Sequence, residues 1–293
     1  MAARAIVVGT DGSEPSLRAV DWAARDAALR EVPLRIVSVA PLNQGLDLFT
    51  RPAYSTAVRE TAEKALDDAV AAANLTAPGL TIDTALQTGE PAPLLARAAE
   101  RAALLVVGAG GRRSRFAGMA RASVSRYLAA HAPCPVVIDR GEPANPTGQV
   151  VVGIRDLHDS EAPLAFAFEE ASNRRAHLVA VLAWYWPPPA GAAATITAPA
   201  QVSADALTRM YRLLEPWQQK YPDVELGEEI IHAHPGQALL DLTTSARLLV
   251  LGRHPGGHAG IDRPIGPVTC TVLKDAHCPV AVIPASEKSS FLS

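Results

Sequence analysis

Short apolar runs alternate along this chain with longer segments whose apolar residues have helical spacing. The runs, rich in Val, Ile and Leu, are typical of strands buried on both faces of a parallel sheet. In the first half they lie at 5–10, 34–40, 80–86, 104–107 and 135–138. The helical segments lie at 16–30, 57–73, 93–103 and about 120–131, and a loop is predicted at 41–54. This alternation predicts an α/β fold with a doubly wound sheet.

The same pattern returns at a constant offset of 144 residues. Segments 7–9, 104–108 and 132–136 align in this way with 151–153, 248–252 and 276–280. One offset from the first strand to the last predicts two copies of one fold. We therefore predict two five-stranded parallel-sheet domains in tandem, at 1–140 and 149–286, with a Pro/Gly-rich linker at 141–148 and a tail at 287–293.

Several features of the second half depart from the regular pattern. An amphipathic helix is predicted from about 204 to 220, with a kink at Pro216. Residues 187–202 are predicted to form a flexible low-complexity loop. The aromatic residues 184–186 are interpreted as a cover over the core, with a stacking surface as the alternative. His232 and His234 are predicted to lie at the surface.

Composition excludes several classes of protein. The 293 residues are 48% hydrophobic, and a net charge of −3 gives no electrostatic case for nucleic-acid binding. No apolar segment reaches the roughly 18–20 residues of a membrane span, and the N-terminus lacks a signal peptide's long apolar region. Cys134, Cys270 and Cys278 form no CxxC motif and are interpreted as buried apolar residues. We expect a cytoplasmic protein that binds neither nucleic acid nor membrane.

The predicted strand ends of the first half carry candidate ligand-binding residues. Asp11 follows the first strand, Val39 ends the second, Gly108 and Gly111 follow the fourth, and Ser123 lies near the start of the last helix. In doubly wound sheets, ligands bind beyond the carboxyl ends of the strands. Glycines let backbone N–H groups turn toward an anion, and the helix N-terminus adds positive charge. A mononucleotide site is one interpretation; the other is a plain turn, with Asp11 and Ser123 capping helices.

Known catalytic motifs are missing from the sequence. It has no G-x-x-x-x-G-K-[ST] and no G-x-G-x-x-G after the first strand, which disfavours Walker-type NTPases and dinucleotide oxidoreductases. No Ser/His/Asp or Cys/His nucleophile set has a suitable context. His254, His258 and Asp262 lie among glycines and a proline, so a helical metal site is disfavoured. We predict no catalytic residue and no metal site.

Three segments resemble the universal stress protein family. They are VVGTDGSEPS at 7–16, GAGGRRSRFAGMARASVS at 108–125 and HAPCPVVI at 131–138. Nucleotide-binding members carry G-x2-G-x9-G-[ST] and an Asp after the first strand. The resemblance implies a Rossmann-like fold of the adenine nucleotide alpha hydrolase type. It also implies ATP or a related adenine nucleotide as ligand, with Mg²⁺ as a candidate companion, and a role in stress-linked regulation without a settled reaction.

Carried over by motif position, the resemblance implies a nucleotide site in the first half. The residues are Gly9, Thr10, Asp11, Val39, Gly108, Gly111, Arg112, Ala122, Ser123, Val124 and Ser125. Ala122 stands where the third glycine is expected, and the spacer at 112–121 is one residue too long. The Ala122 methyl group either obstructs phosphate approach or is absorbed by the longer loop. The arginines of this loop either clamp phosphates or are solvated.

The second half departs further from the family pattern. Its corresponding residues are Gly153, Arg155, Ala183, Gly252, Pro255, Gly266 and Pro267. Arg155 replaces the Asp, Pro255 removes a backbone donor, and Pro267 replaces the hydroxyl residue. Arg155 could meet a phosphate or pair with Asp156 or Asp159. We expect this second site to be degenerate.

Three hypotheses for function remain. The first is a regulatory protein that binds adenine nucleotide mainly in the first domain. The second is a nucleotide-independent dimeric scaffold, and the third a slow ATPase, which is disfavoured because no base or water-positioning residue is identifiable. The resemblance further implies an intrachain pseudo-dimer and a homodimer, both formed through the last strands at 135–138 and 279–282.

Overall fold

The computed structural model describes residues 4–41, 52–110, 120–141, 147–155, 160–185, 197–254 and 265–285. The chain divides into two compact units, Met1–Gly141 and Glu142–Ser293. Each unit is a parallel sheet with helices between successive strands. None of the helices in these described ranges is long and apolar enough to span a bilayer.

The described residues of the first unit form nine elements. They are β1 (Ile6–Thr10), α1 (Glu14–Leu29), β2 (Leu34–Ala40), α2 (Pro52–Thr76), β3 (Ile82–Thr88), α3 (Pro91–Ala98), β4 (Leu104–Gly108), α4 (Ala120–His131) and β5 (Val136–Asp139). The strand order is β3-β2-β1-β4-β5, all parallel. The chain therefore builds the sheet in one direction from β1 and then returns to build on its other side at β4, which confirms the predicted doubly wound fold.

The second unit repeats this architecture. Its elements are β6 (Gln149–Ile154), α5 (Glu161–Arg174), β7 (Leu178–Trp184), α6 (Thr197–Lys220), β8 (Leu226–His232), α7 (Pro235–Leu242), β9 (Ala246–Gly252), α8 (Pro267–Asp275) and β10 (Val280–Ile283). The order β8-β7-β6-β9-β10 is the same. The register is also the same, since Ile6 pairs with Leu34 and Val150 pairs with Leu178. The 144-residue repeat of the sequence is therefore a repeat of structure.

A glycine near the end of each first strand lies against apolar side chains of the core. A Cβ at Gly9 would lie 2.9 Å from Leu95 Cδ1 and 3.4 Å from Val107 Cγ1. The second unit has the same contact at the repeat positions Gly153, Leu239 and Leu251. These glycines let the third helix of each unit approach the sheet, so they are features of the core.

A buried ion pair near the end of the first helix is also repeated. Arg30 Nε lies 2.8 Å from Asp26 Oδ2 in α1, and Arg174 Nη1 lies 2.9 Å from Glu170 Oε2 in α5. Both carboxylate side chains are fully buried. In the second unit Arg247 adds a cation, and burial, with repulsion from Arg174, lowers its pKa despite the attraction of Glu170. The buried carboxylate of Glu170 therefore balances the positive charges of Arg174 and Arg247.

Several predicted helix boundaries are wrong. Helix α2 begins at Pro52, so residues 52–54 of the predicted loop are helical, and α6 begins at Thr197, so residues 197–202 of the predicted low-complexity loop are helical. Proline is accepted at the first turn of a helix because its missing N–H has no intrahelical partner there. Helix α3 begins at Pro91 for the same reason, two residues earlier than predicted. It ends at Ala98, five residues earlier than predicted.

Candidate functional site

A cavity of about 700 Å³ opens at the carboxyl ends of β1, β2 and β4. It lies where the strand order reverses between β1 and β4, which is the place where doubly wound sheets bind ligands. Its volume falls within the roughly 300–1,000 Å³ of small-molecule pockets. From the residues predicted by sequence, it brings together Gly9, Thr10, Asp11, Val39, Gly108 and Val124.

The turn after β1 holds Asp11 at the edge of this cavity. Asp11 Oδ1 accepts a hydrogen bond from the Ser13 N–H at 3.0 Å and another from the Ser13 hydroxyl. Gly12 has a φ of 74°, a left-handed conformation that favours glycine. Ser13 is the N-cap residue of α1, so the capping role considered for Asp11 is wrong. The carboxylate instead stabilises the turn that precedes the helix.

Strand β2 forms the apolar side of the cavity. Its pairing with β1 ends at Thr10 and Ser38, so Val39 extends past the end of β1. Val37, Val39 and Pro41 line the cavity on this side. A planar apolar group would find van der Waals contacts here, next to strand backbone that no longer pairs with β1.

Gly108 has a packing role that the motif did not reveal. A Cβ at this position would lie 2.4 Å from the Pro15 carbonyl oxygen and 3.0 Å from the Ser16 nitrogen. The first turn of α1 therefore rests directly on the end of β4. Gly110 continues the lining of the cavity beyond it, whereas Gly111 and Arg112 lie outside the described residues.

Helix α4 begins at Ala120, which places Ala122 and Ser123 inside its first turn. The N-cap alternative for Ser123 is therefore wrong. Val124 lines the cavity, and Ser125 is half-buried one residue further along. Because the first backbone N–H groups of a helix lack intrahelical partners, this end of α4 adds positive partial charge beside Val124.

Sequence reasoning missed two walls of the cavity. One is the start of α3, where Glu90 is the N-cap residue and Pro91 and Pro93 follow. The other is α2, which contributes Val58 and Thr61. The only sequence signal was the Gly-Glu-Pro turn after β3. The carboxyl end of β3 lies at the same edge of the sheet as those of β1 and β2, so this turn could have been included.

The same positions in the second unit have other chemistry. Arg155 stands at the position of Asp11 and is exposed. Ala183 stands at the position of Val39. In α8, Gly266 is the N-cap residue and Pro267 follows, while Pro255 lies outside the described residues. The acceptor at the end of the first strand is therefore replaced by a cation.

An aromatic stack stands where the first unit has two cavity-lining residues. Tyr185 and His234 occupy the positions of Pro41 and Glu90, and their ring centroids are 3.8 Å apart with an interplanar angle of 26°. The stack is partly open to solvent, since Tyr185 is 44% exposed. It joins the end of β7 to the start of α7, so side chains cover a region that is open in the first unit.

Neighbouring rings extend this stack along the strand ends. Trp184 and His232 have ring centroids 4.4 Å apart, and His232 is exposed as predicted. Trp184 is half-buried, which fits the predicted cover over the core, whereas Tyr185 is exposed and stacked, which fits the alternative, and Trp186 lies outside the described residues.

A histidine side chain lies close to Gly252 at the end of β9. The imidazole Nε2 of His254 would lie 2.7 Å from a Cβ at Gly252. His254 is at the repeat position of Gly110, which lines the open cavity of the first unit. An imidazole ring thus lies over the glycine that corresponds to Gly108.

Comparison with known proteins gives matches in both units of the chain. The model of the universal stress protein family matches residues 3–140 and again 147–284. A universal stress protein of Mycobacterium tuberculosis is 35% identical over 298 residues, covering 94% of this chain and 95% of the relative. The crystal structure of a universal stress protein from Archaeoglobus fulgidus is 18% identical, with a TM-score of 0.71 over 98% of each chain. Another universal stress protein, solved in complex with cAMP, is 32% identical over 48% of this chain and 99% of its own, with a TM-score of 0.34.

Proposed function

The chain belongs to the universal stress protein family, and we propose that it binds one adenine nucleotide, with ATP as the reference ligand, in the cavity of its first unit. The observation that supports this most is the position of that cavity. It opens at the reversal point of the sheet, between an apolar wall on β2 and a glycine-lined wall on β4. A stress-response regulatory role is the function we propose for this binding.

The two walls suggest how the nucleotide is oriented. The base lies against Val37 and Val39, where apolar contacts are available. The phosphates lie toward Gly108 and Gly110 and the start of α4, whose N–H groups and partial charge suit an anion. Asp11, between the two walls, accepts from ribose hydroxyls. Magnesium would accompany the phosphates rather than bind a protein cage, as it usually retains several water ligands.

We propose that the second unit does not bind nucleotide in the family's manner. Arg155 removes the ribose acceptor, the Tyr185–His234 stack covers one wall and His254 covers the other. Its contribution to function is then through protein contacts, as in the scaffold hypothesis.

Calorimetric titration of the purified chain with ATP tests this proposal. We expect one site per chain, and mass spectrometry should detect adenine nucleotide that copurifies with the protein. Asp11→Ala should weaken binding about tenfold to a hundredfold, because a hydrogen bond to a charged group contributes about 1.5–3 kcal/mol. Arg155→Ala, the matched change in the second unit, should leave the affinity within about twofold. Titrations with GTP and cAMP define the preference for base and phosphate.

Two results would contradict the proposal. A folded protein that releases no nucleotide and gives no heat at millimolar ATP does not have the function we propose. Equal losses from Asp11→Ala and Arg155→Ala would refute the asymmetry between the units.

We propose binding without turnover, since the sequence carries no Walker-type NTPase motif. Phosphate release from ATP should equal that of a mock preparation. Turnover that disappears with Asp11→Ala would instead support the slow ATPase. Pairing through the last strands, within the chain and between two chains, stays a prediction, and light scattering of the purified chain measures the second of these.

A further inference from the structure

The hydroxyl of Ser16 is the centre of a small hydrogen-bond network beneath the Asp11 turn. Ser16 Oγ donates to the Ser13 carbonyl oxygen at 2.8 Å. It accepts the Asp11 N–H at 3.3 Å and lies 3.2 Å from Thr10 Oγ1. Ser16 and Thr10 are both buried, at 7% and 6% exposure, so water competes little for these contacts.

The direction of each hydrogen bond in this network can be assigned. A serine hydroxyl has one hydrogen, and that of Ser16 is used by the carbonyl of Ser13, which can only accept. Thr10 must then donate to Ser16, and Thr10 Oγ1 accepts the Gly12 N–H at 3.2 Å. The result is a single chain of donors from Gly12 through Thr10 and Ser16 to Ser13. Bonds in such chains polarise and strengthen one another.

This chain fixes the backbone on both sides of the Asp11 carboxylate. The N–H of Asp11 is held by Ser16, the N–H of Gly12 by Thr10, and the carbonyl of Ser13 by Ser16. The carboxylate itself is oriented by Ser13. Asp11, Gly12 and Ser13 are thus each hydrogen-bonded to the hydroxyl of Thr10 or of Ser16.

The same serine is in contact with the opposite wall of the cavity. A Cβ at Gly108 would lie 3.0 Å from the Ser16 nitrogen, so the first turn of α1 touches the end of β4. Ser16 thus lies between the Asp11 turn, to which it is hydrogen-bonded, and the end of β4.

The second unit retains the serine but lacks the rest of the network. Ser160 is at the repeat position of Ser16, whereas Ile154 replaces Thr10 and has no hydroxyl to donate. Arg155 replaces the carboxylate that such a network would position. The first unit therefore has both the carboxylate and the complete network, and the second unit has neither.

We propose that Ser16, through its bond with Thr10, is the positioning residue of the Asp11 carboxylate in ligand binding. This rests on the nucleotide binding proposed for the first unit. Ser16 also lines the cavity, but its hydroxyl is engaged by Thr10, Asp11 and Ser13, and it holds the turn in the conformation from which Asp11 reaches the ribose. Its contribution to affinity is therefore made through Asp11 and requires that carboxylate.

A double-mutant cycle on ATP affinity tests this dependence. Ser16→Ala should weaken binding about fivefold to tenfold in the wild-type chain, comparable to one misplaced hydrogen bond, and less than twofold in the Asp11→Ala chain. Thr10→Val, which keeps the shape but removes the hydroxyl, should weaken binding as much as Ser16→Ala does. Thr10→Ser, which keeps the hydroxyl, should bind ATP more tightly than Thr10→Val, close to the wild-type affinity. Ser172→Ala, which removes a hydroxyl bonded to Asp223 in the second unit, is the matched control and should have no effect. Equal losses from Ser16→Ala with and without Asp11 would overturn the positioning role.

Amide hydrogen exchange in the ligand-free chain examines the network without ATP. Ser16→Ala should accelerate exchange at Asp11 and Gly12 by about tenfold or more, while exchange in β5 stays unchanged. Unchanged exchange at Asp11 and Gly12 would refute the role of the network, whatever the effect of Ser16→Ala on ATP affinity. If exchange responds but the wild-type chain binds no nucleotide, the proposed function fails, and the network is then a helix-start arrangement only, which overturns the positioning role.

Discussion

Replacing Gly108 with alanine would place a methyl group where the first turn of α1 rests on β4. The new Cβ would lie 2.4 Å from the Pro15 carbonyl oxygen and 3.0 Å from the Ser16 nitrogen. Ordinary contact needs about 3.5 Å, so α1 must move by about 1 Å. Both contacting groups are backbone and cannot rotate away. We therefore expect a cost near the upper end of the roughly 1–3 kcal/mol seen for overpacked cores.

Urea unfolding followed by hydrogen exchange measures this cost separately in each unit. With a denaturant dependence of about 2–3 kcal/mol per molar urea, the midpoint of the first unit should fall by about 1 M. The affinity for ATP should fall as well, because the displaced turn carries Ser16. The exchange of peptides from the second unit should not change.

Two glycine substitutions in the second unit serve as controls for this prediction. Gly252→Ala is the repeat counterpart, but its Cβ would meet the movable tip of His254 and, at 3.1 Å, Pro163. Its cost should be smaller. Gly227→Ala should be close to neutral, since its Cβ would lie 3.8 Å from Val179. If Gly108→Ala is as stable as Gly227→Ala and binds ATP with wild-type affinity, the packing role of Gly108 is refuted.

Two further predictions concern the second unit. Glu170→Ala removes the buried carboxylate that pairs with Arg174 and attracts the half-buried Arg247, so the unfolding free energy should fall by about 3–5 kcal/mol in urea titrations. A loss below about 1 kcal/mol would show that the pair is not needed. Tyr185→Ala removes the stack with His234 and should cost about 0.5–1.5 kcal/mol, seen as a lower melting temperature, with no change in ATP affinity. An altered affinity would show that the stack influences the first-unit site.

The inner strands were predictable because burial on both faces leaves a plain sequence signal. The edge strand β3 is half-buried to exposed, and it lies at Ile82–Thr88 and not at 80–86 as predicted. All five residues of β1 are buried, and the predicted segment at 5–10 ends at Thr10, where the strand ends. Helix ends were less visible. The apolar spacing of α3 continues to Ala103 in the sequence, and Ala102 is indeed buried. However, Ala102 lies in a turn after the helix, where its N–H donates to the Ala99 carbonyl oxygen. Apolar spacing reports burial, and a turn can bury a side chain as well as a helix does.

The candidate site was predictable where its residues directly follow strands. Asp11 and Gly108 were found in this way, and both line the cavity. Glu90 was not, because it lines the cavity only through the position of α3 against β2 and against Gly9 of β1. Ser16 was not, because its role depends on hydrogen bonds to Thr10 and Ser13 that no spacing rule encodes. Sequence located the edge of the sheet, and tertiary contacts decided which side chains reach it.

The two units show which residues of the repeat report on fold and which report on ligand. Gly9 and Gly153 both lie against a helix leucine and a strand residue, so the same packing contact accompanies the glycine in both units. A glycine at the end of the first strand therefore says little about nucleotide binding. The positions that differ, Thr10, Asp11 and Gly110, form no part of that shared contact and all line the cavity of the first unit. Because their counterparts are an isoleucine, an arginine and a histidine on the same framework, the chemistry of this edge of the sheet differs while the fold is kept.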